Sequence, residues 1–266
     1  MDKSWFTFDL HKRKILTMIL LLVFILSLFS VEWNSNLIHS GGFETAKQIF
    51  VALFQPDLST DILLLAVEAS WSTLSYATAG MSLAIFIAFI FGIPASGVLA
   101  ENAKTKRIMR SFFRGHLGFM RAIHELVWAW LFVASIGLSP FAAIFALAIP
   151  YGGILGRIFA DMLEDVPREP ILALEAAGAS RLQTLWYGYL PMVRTSIISY
   201  AMYRFECAVR SSAIMSFVGI GGLGYQIHLS LDDLHYNEVW TFVFFLIFLV
   251  IIIDAWSNQL RKRLVR

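Results

Sequence analysis

Residues 126–156 read LVWAWLFVASIGLSPFAAIFALAIPYGGILG, 31 positions without a charge. One helix of that length would run about 46 Å at 1.5 Å per residue, well past the roughly 30 Å hydrocarbon core of a bilayer. The stretch must therefore turn. Gly137-Leu-Ser-Pro140 supplies the turn, with Ser139 as N-cap and Pro140 at the first helical position of the second arm. Two membrane spans, about 117–136 and 140–159, are the predicted result.

The rest of the chain repeats the pattern. Uncharged runs extend from Ala69 to Ala100 and from Ser211 to Leu231, and 58% of the 266 residues are hydrophobic against 15% charged. The mean hydropathy is +0.69. A water-soluble domain carries about 25% charge, so that class is excluded. The predicted fold is all-α and polytopic, with six spans at about 15–31, 74–100, 117–136, 140–159, 196–218 and 239–256. Asp61 to Ser75 mixes Asp61, Glu68, Trp71 and hydroxyl residues among leucines, which predicts an interfacial helix leading into the second span.

The first span follows Lys12, Arg13 and Lys14 as a signal peptide would. Its 17 apolar residues exceed a usual signal core, and Val31-Glu-Trp-Asn lacks a small-x-small cleavage site, so it is expected to stay as an anchor. The outer segment beyond it includes Phe43 to Phe54, short and amphipathic, expected on the membrane surface. Residues 1–60 form an N-terminal anchor and outer segment in this reading, and residues 61–266 the core. The lone Cys207 cannot close an intrachain disulfide. The histidines, His11, His39, His116, His124, His228 and His235, show no metal-ligand spacing, so no metal is expected.

Charge placement gives orientation. Seventeen of the 21 Lys and Arg residues fall on one side of the predicted spans and only Lys47 on the other, with Arg121, Arg204 and Arg210 in or near spans. The positive-inside rule then puts both termini in the cytoplasm, consistent with six crossings.

One loop on the basic side, about 161–194, is too structured to be a linker. Leu172, Ala173, Ala176 and Ala177 make a small-residue helical face that ends at Gly178, a C-cap position. Ser180-Arg-Leu-Gln183 is a capping box for a second short helix running toward Leu190-Pro191.

Glu175-Ala-Ala-Gly-Ala-Ser-Arg-Leu-Gln183, with Leu190-Pro191 following, resembles the cytoplasmic EAA loop of ABC-importer permeases. The 13-residue interval from Gly178 to Pro191 fits that pattern. Arg121-Ala-Ile-His-Glu-Leu-Val-Trp-Ala129, Ser199-Tyr-Ala-Met-Tyr-Arg-Phe-Glu206 with Arg210, and Val218-Gly-Ile-Gly-Gly-Leu-Gly224 narrow the resemblance to the phosphonate-type subfamily, from about Trp71 onward. Two positions depart from the family. Its Glu lies six residues before the Gly, where this chain has Leu172, and Glu175 is only three before it. His124 stands where relatives often carry proline, which predicts a straighter helix there.

The resemblance implies a type I importer permease of the bacterial inner membrane, not an enzyme, that moves phosphonate, phosphite or hypophosphite. Its implied partners are a second copy of the chain, two ATP-binding cassette subunits and an extracytoplasmic substrate-binding protein, with no nucleic acid. ATP and Mg²⁺ belong to the partner ATPase, and this chain needs no cofactor; no G-x-x-x-x-G-K-[ST] loop occurs in it. The residues that would couple to the ATPase are Ala173, Glu175, Ala176, Ala177, Gly178, Ala179, Ser180, Arg181, Leu190 and Pro191. Small side chains allow close backbone approach, and Glu175 and Arg181 set polar register. An amphipathic loop lying on the membrane is the alternative.

Ionisable residues at membrane depth are costly and normally face a bundle interior or a cavity. Arg121 and Glu125 are four apart and can pair, as can Glu206 and Arg210, which leaves Arg204 as the unneutralised cation. A guanidinium suits an oxyanion with several acceptor oxygens. With Trp128 and Tyr203 these five residues are candidate pathway residues; structural ion pairs holding a dimer together are the other reading. Gly219, Gly221, Gly222 and Gly224 satisfy G-x-G-x-x-G without any βαβ context, so they predict an outer turn or gate and not a nucleotide site. Three further functions compete with it: a permease for another small ligand such as an amino acid, an ion-coupled secondary transporter, and a polytopic enzyme. No repeat or polar catalytic cluster supports the last two.

Overall fold

The structure is a computed structural model that describes residues 8–30 and 42–264. Lys3, His39, Arg266 and the start of the outer segment lie outside the described residues. All secondary structure among the described residues is helical. The chain divides into two compact units, Met1–Phe50 and Val51–Arg266. The first holds α1 (Phe8–Ser30), long and apolar enough to cross a membrane, and most of α2 (Gly42–Ala52).

The second unit comprises α3 (Thr60–Ser96), α4 (Ala103–Ala122), α5 (Glu125–Ile136), α6 (Pro140–Glu164), α7 (Arg168–Ala176), α8 (Arg181–Thr184), α9 (Leu190–Met215), α10 (Leu223–Asp232) and α11 (Tyr236–Leu264). Among the described residues, four helices have the length and composition of spans, and counting the bent pairs α4/α5 and α9/α10 as one crossing each gives up to six.

The turn at 137–140 forms as its chemistry requires. Ser139 Oγ accepts the Phe141 amide at 3.3 Å, Pro140 opens α6, and Gly137 takes a left-handed φ of 83°. The core lies mainly where α3 packs on α6 through small residues: Ala77, Ala84 and Ala88 on one helix, Ala142, Ala143 and Ala146 on the other. Small side chains let helix backbones approach closely where lipid offers no hydrophobic drive between helices.

Two sequence expectations need correction here. Residues 61–75 are not a separate interfacial helix, because α3 runs unbroken for 37 residues from Thr60. No Gly or Pro interrupts it before Gly80, and Ala66 and Ala69 are buried with Leu223, Ile227, Val239 and Phe242 of α10 and α11. Nor is the chain straighter at His124. It bends by 83° between α4 and α5, with Ile123 and His124 both extended. His124 does what an Asn or Asp would do as an N-cap: its Nδ1 accepts the Leu126 amide at 3.3 Å.

Arg114, midway along α4, ties the ends of α3 and α6 to that helix. Its guanidinium donates to the Ala95 carbonyl at 3.1 Å, to Glu164 at 2.5 Å and to Asp161 at 3.0 Å, while Arg110 reaches Glu164 at 2.6 Å. The open carbonyls at the end of α3, where Pro94 lies, thus gain a charged donor.

Between α8 and α9 the chain keeps its helical course through a π-helical turn, Leu185–Tyr189. Pro191 explains it. Proline has no amide to donate, and its ring crowds the carbonyl four residues back; one wider turn removes the clash without ending the helix. Residues 181–215 are therefore one rod, where the sequence predicted a short helix and a later span. Gly188 lies in the π turn, where a Cβ would meet Ile171 Cδ1 and Leu174 Cδ1 at 2.9 Å each, so α7 rests directly on the rod.

Candidate functional site

The segment predicted to couple to an ATPase is the α7–α8 corner. α7 ends in a Schellman motif: the Ala179 amide donates to the Leu174 carbonyl at 3.1 Å and the Gly178 amide to the Glu175 carbonyl at 3.0 Å. Gly178 sits at φ 86°, a conformation that costs any residue with a Cβ about 1–2 kcal/mol. The predicted capping box is present, with the Ser180 amide donating to Gln183 Oε1 at 2.8 Å. Ala173, Ala176, Ala177 and Gly178 are exposed, and so are Leu172, Leu182, Trp186 and Tyr187. Leu174, Ala177, Gly178, Ala179, Gln183 and Tyr187 line an open hollow of about 320 Å³. Glu175 and Arg181 pair with each other across the turn, which clamps the corner's shape. Leu190 and Pro191 follow the π turn at the start of α9, Leu190 half-buried and Pro191 exposed.

The intramembrane charges are arranged differently from the sequence expectation. Arg121 and Glu125 do not pair, because the bend at Ile123–His124 puts them on different helices and the i,i+4 geometry never forms. Glu125 instead accepts from Ser211 Oγ at 2.7 Å, and Ser211 lies 3.0 Å from the Tyr151 hydroxyl. That chain joins α5, α9 and α6. Glu206 does not pair with Arg210. Arg261 of α11 takes the carboxylate at 2.7 Å inside the α9–α11 interface, where Glu206 is 6% exposed, while Arg210 stays exposed with Nη2 3.8 Å from Cys207 Sγ.

Arg204 has no carboxylate partner among the described residues. Its Nε and Nη2 donate to the Tyr200 hydroxyl at 2.9 and 2.7 Å, and its guanidinium carbon lies 5.2 Å from the Tyr200 ring centre and 5.7 Å from that of Tyr203. Two electron-rich ring faces hold the cation without neutralising it. Trp128 stacks near Phe132, and its buried Nε1 has no acceptor among the described residues. Sequence reasoning missed Tyr151 and Ser211. The one available signal was Tyr151 itself, the only phenol in residues 126–156.

The glycine segment is a tethered corner between α9 and α10. Gly219, Gly221 and Gly222 have φ of 94°, 93° and 99°. Thr73 of α3 accepts the Leu223 amide on its Oγ1 at 3.0 Å and accepts Ser212 Oγ on its carbonyl at 3.0 Å, while the Tyr76 hydroxyl reaches the Ile220 carbonyl at 3.3 Å. Gly224 is pressed against the Ala213 carbonyl.

The Glu206–Arg261 pair predicts a structural effect. Arg261→Ala leaves the buried Glu206 carboxylate uncompensated and is expected to cost about 3 kcal/mol, seen as early thermal unfolding in detergent. Arg210→Gln, at an exposed position, is expected to leave the melting temperature unchanged.

Residues 88–266 match the family described as binding-protein-dependent transport system inner membrane component. HtxC of Stutzerimonas stutzeri is 32% identical over 244 residues, covering 90% of this chain and 84% of that one. The phosphite transport system permease protein PtxC of the same organism is 33% identical, covering 73% of this chain and 70% of its own. Among solved structures, the MetNI methionine ABC transporter in an inward-facing conformation superposes with a TM-score of 0.68 at 20% identity, over 79% of this chain and 100% of that chain. The chain belongs to the binding-protein-dependent transport system inner membrane component family and has the fold of a type I ABC importer permease.

Proposed function

We propose that this chain is the membrane-spanning subunit of an importer for phosphonate or a related small phosphorus oxyanion, phosphite or hypophosphite. The observation that carries the substrate class is Arg204: a guanidinium on α9, propped by Tyr200 and Tyr203 and with no carboxylate partner among the described residues. An oxyanion with several acceptors supplies what that cation lacks. The relatives named for phosphite transport and, in Mycolicibacterium smegmatis, for phosphate import point the same way. A passing contact suits transport better than a tight one, because cargo must leave as readily as it enters.

In this reading two copies of the chain work with two ATP-hydrolysing subunits and an extracytoplasmic binding protein. ATP and Mg²⁺ stay on the ATPase, and this chain carries no cofactor. Both termini and the α7–α8 corner face the cytoplasm, as the basic side requires. The exposed small-residue and apolar surface of that corner enters a cleft of the ATPase, and the glycine corner at 219–224 faces the binding protein.

The test is ATP hydrolysis by the chain co-purified with its ATPase and binding protein, measured with methylphosphonate, phosphite, hypophosphite and methionine. Stimulation by a phosphorus oxyanion is the expected result. Stimulation by methionine alone would move the chain to the amino-acid group. Arg204→Gln is expected to lower transport about tenfold or more with the complex intact, and Arg204→Lys to restore part of it. A variant that loses the complex instead would show Arg204 to be structural.

A further inference from the structure

Among the described residues one side chain other than glycine sits at a positive φ: Leu234, at 60°, in the turn between α10 and α11. It stands just past the end of α10, where its amide donates to the Leu231 carbonyl at 3.1 Å and the His235 amide to the Ser230 carbonyl at 2.8 Å. Glycine or asparagine is the ordinary choice there, because a Cβ crowds the following carbonyl oxygen. A bulky leucine in that place is strained, and such strain persists only where the surroundings over-determine the backbone. They do so here. The Asp57 amide donates to the Asn237 carbonyl at 3.2 Å, Thr241 Oγ1 to the Asp57 carbonyl at 2.7 Å, and Ser230 Oγ to Glu238 Oε2 at 3.0 Å.

The leucine side chain does little for the fold in return. It directly precedes His235, whose carbonyl opens α11 by accepting the Glu238 and Val239 amides at 3.1 and 3.2 Å. An apolar residue so placed normally folds onto the fourth helical residue, here Val239. Val239 is buried instead among Ala66, Ala69, Leu223, Ile227 and Phe242, and Leu234 is left 67% exposed.

The setting identifies what could cover it. Leu234 lies at the end of α11 opposite Arg261, Lys262 and Arg263, and no Lys or Arg occurs between Arg210 and Arg261, so the turn is on the outer side. Asp232 and Asp233 precede it, both exposed; His228 Nδ1 lies 2.9 Å from Asp232, and Asp233 has no partner among the described residues. Seating this leucine in the bilayer would press two carboxylates against anionic headgroups, where aromatic and basic side chains are the usual anchors. An apolar centre with a charged rim is the plan of a protein contact.

We propose that Leu234 is an apolar anchor for the extracytoplasmic binding protein, entering a pocket on that protein whose rim is basic and meets Asp232 and Asp233. The assignment rests on the importer reading above and not on which anion is carried.

The experiment takes the complex of chain, ATPase and binding protein in phosphatidylglycerol nanodiscs and titrates ATP hydrolysis with phosphite-loaded binding protein. Leu234→Gly, which relieves the strain, is expected to melt no earlier than the unaltered chain. It is nevertheless expected to need about tenfold more binding protein for half-maximal stimulation, reaching the same ceiling at saturation. Leu234→Met, apolar and similar in volume, is expected to stay within about twofold of the unaltered chain. Asp233→Lys is expected to weaken docking against a basic rim, and tighter docking by that variant overturns the proposal. An unchanged half-saturation in Leu234→Gly overturns it, and so does earlier melting of that variant, which makes the leucine a packing residue. In a Cys207→Ser background, a polarity-sensitive dye on Leu234→Cys is expected to report water until binding protein is added and an apolar surrounding afterwards. An apolar signal without binding protein identifies burial in the membrane and overturns the proposal. If only methionine-loaded binding protein stimulates, the phosphorus reading fails alone, and the same tenfold shift read with that cargo still decides the docking. A complex that answers to no binding protein overturns the importer reading and this proposal with it.

Discussion

Gly178→Asp is expected to abolish uptake while leaving the normal amount of chain in the membrane. The structure separates those two outcomes. A Cβ at Gly178 has no neighbour within 4 Å, so the side chain is not excluded for want of room. The left-handed φ of 86° is one that Asp tolerates better than most residues, at a cost below what would unfold a domain. The damage falls on the corner's outward face, where a charge and four heavy atoms would enter the close approach that the exposed Ala173, Ala176 and Ala177 permit. Gly178→Asn, with similar backbone strain and no charge, is expected to fall between wild type and Asp. Deletion of residues 173–181 is expected to match Asp in uptake. Immunoblots of membranes alongside radiolabelled uptake make the measurement, and normal transport by Gly178→Asp would remove this corner from coupling.

Gly224→Ala is expected to do the opposite and remove the folded protein itself. Its Cβ would stand 1.9 Å from the Ala213 carbonyl oxygen and 3.0 Å from that carbonyl carbon, both backbone atoms of α9. No rotamer change relieves a clash with backbone. α10 must move away from α9, and the Leu223–Thr73 hydrogen bond goes with it. A loss of about 3 kcal/mol or more follows, visible as a lowered melting temperature in detergent and reduced yield. Gly118→Ala is the control: it lies within α4, a Cβ there meets nothing within 4 Å, and it is expected to be neutral or slightly stabilising through helix propensity.

The corners of this molecule were legible in its sequence because their chemistry is local. Ser139-Pro140, the Gly178 C-cap and the Ser180–Gln183 box each involve residues within a few positions of one another, and each appears in the structure as read. The charge partners were not legible. Glu206 meets Arg261 across 55 residues and Glu125 meets Ser211 across 86. The i,i+4 rule sees only partners on one helix, and it offered Arg210 and Arg121 in their place. The bend at His124 was hidden for a related reason: imidazole is a rare N-cap, and only the extended backbone of Ile123 and His124 shows it acting as one. The two pairs that would have left Arg204 as the one unneutralised cation do not form, so Arg121 and Arg210 also have no carboxylate partner among the described residues; Arg204 differs from them in being held by Tyr200 and Tyr203.

The π turn also sets a mechanical ratio. With α7 seated on Gly188, the rod from Arg181 to Met215 has its fulcrum near one end, with arms of about 10 Å and about 40 Å at 1.5 Å per residue. A rotation about that fulcrum multiplies displacement roughly fourfold toward the glycine corner and divides force by the same factor. Gearing of this kind trades leverage for travel, and it favours opening a path through loosely held contacts over breaking strong ones.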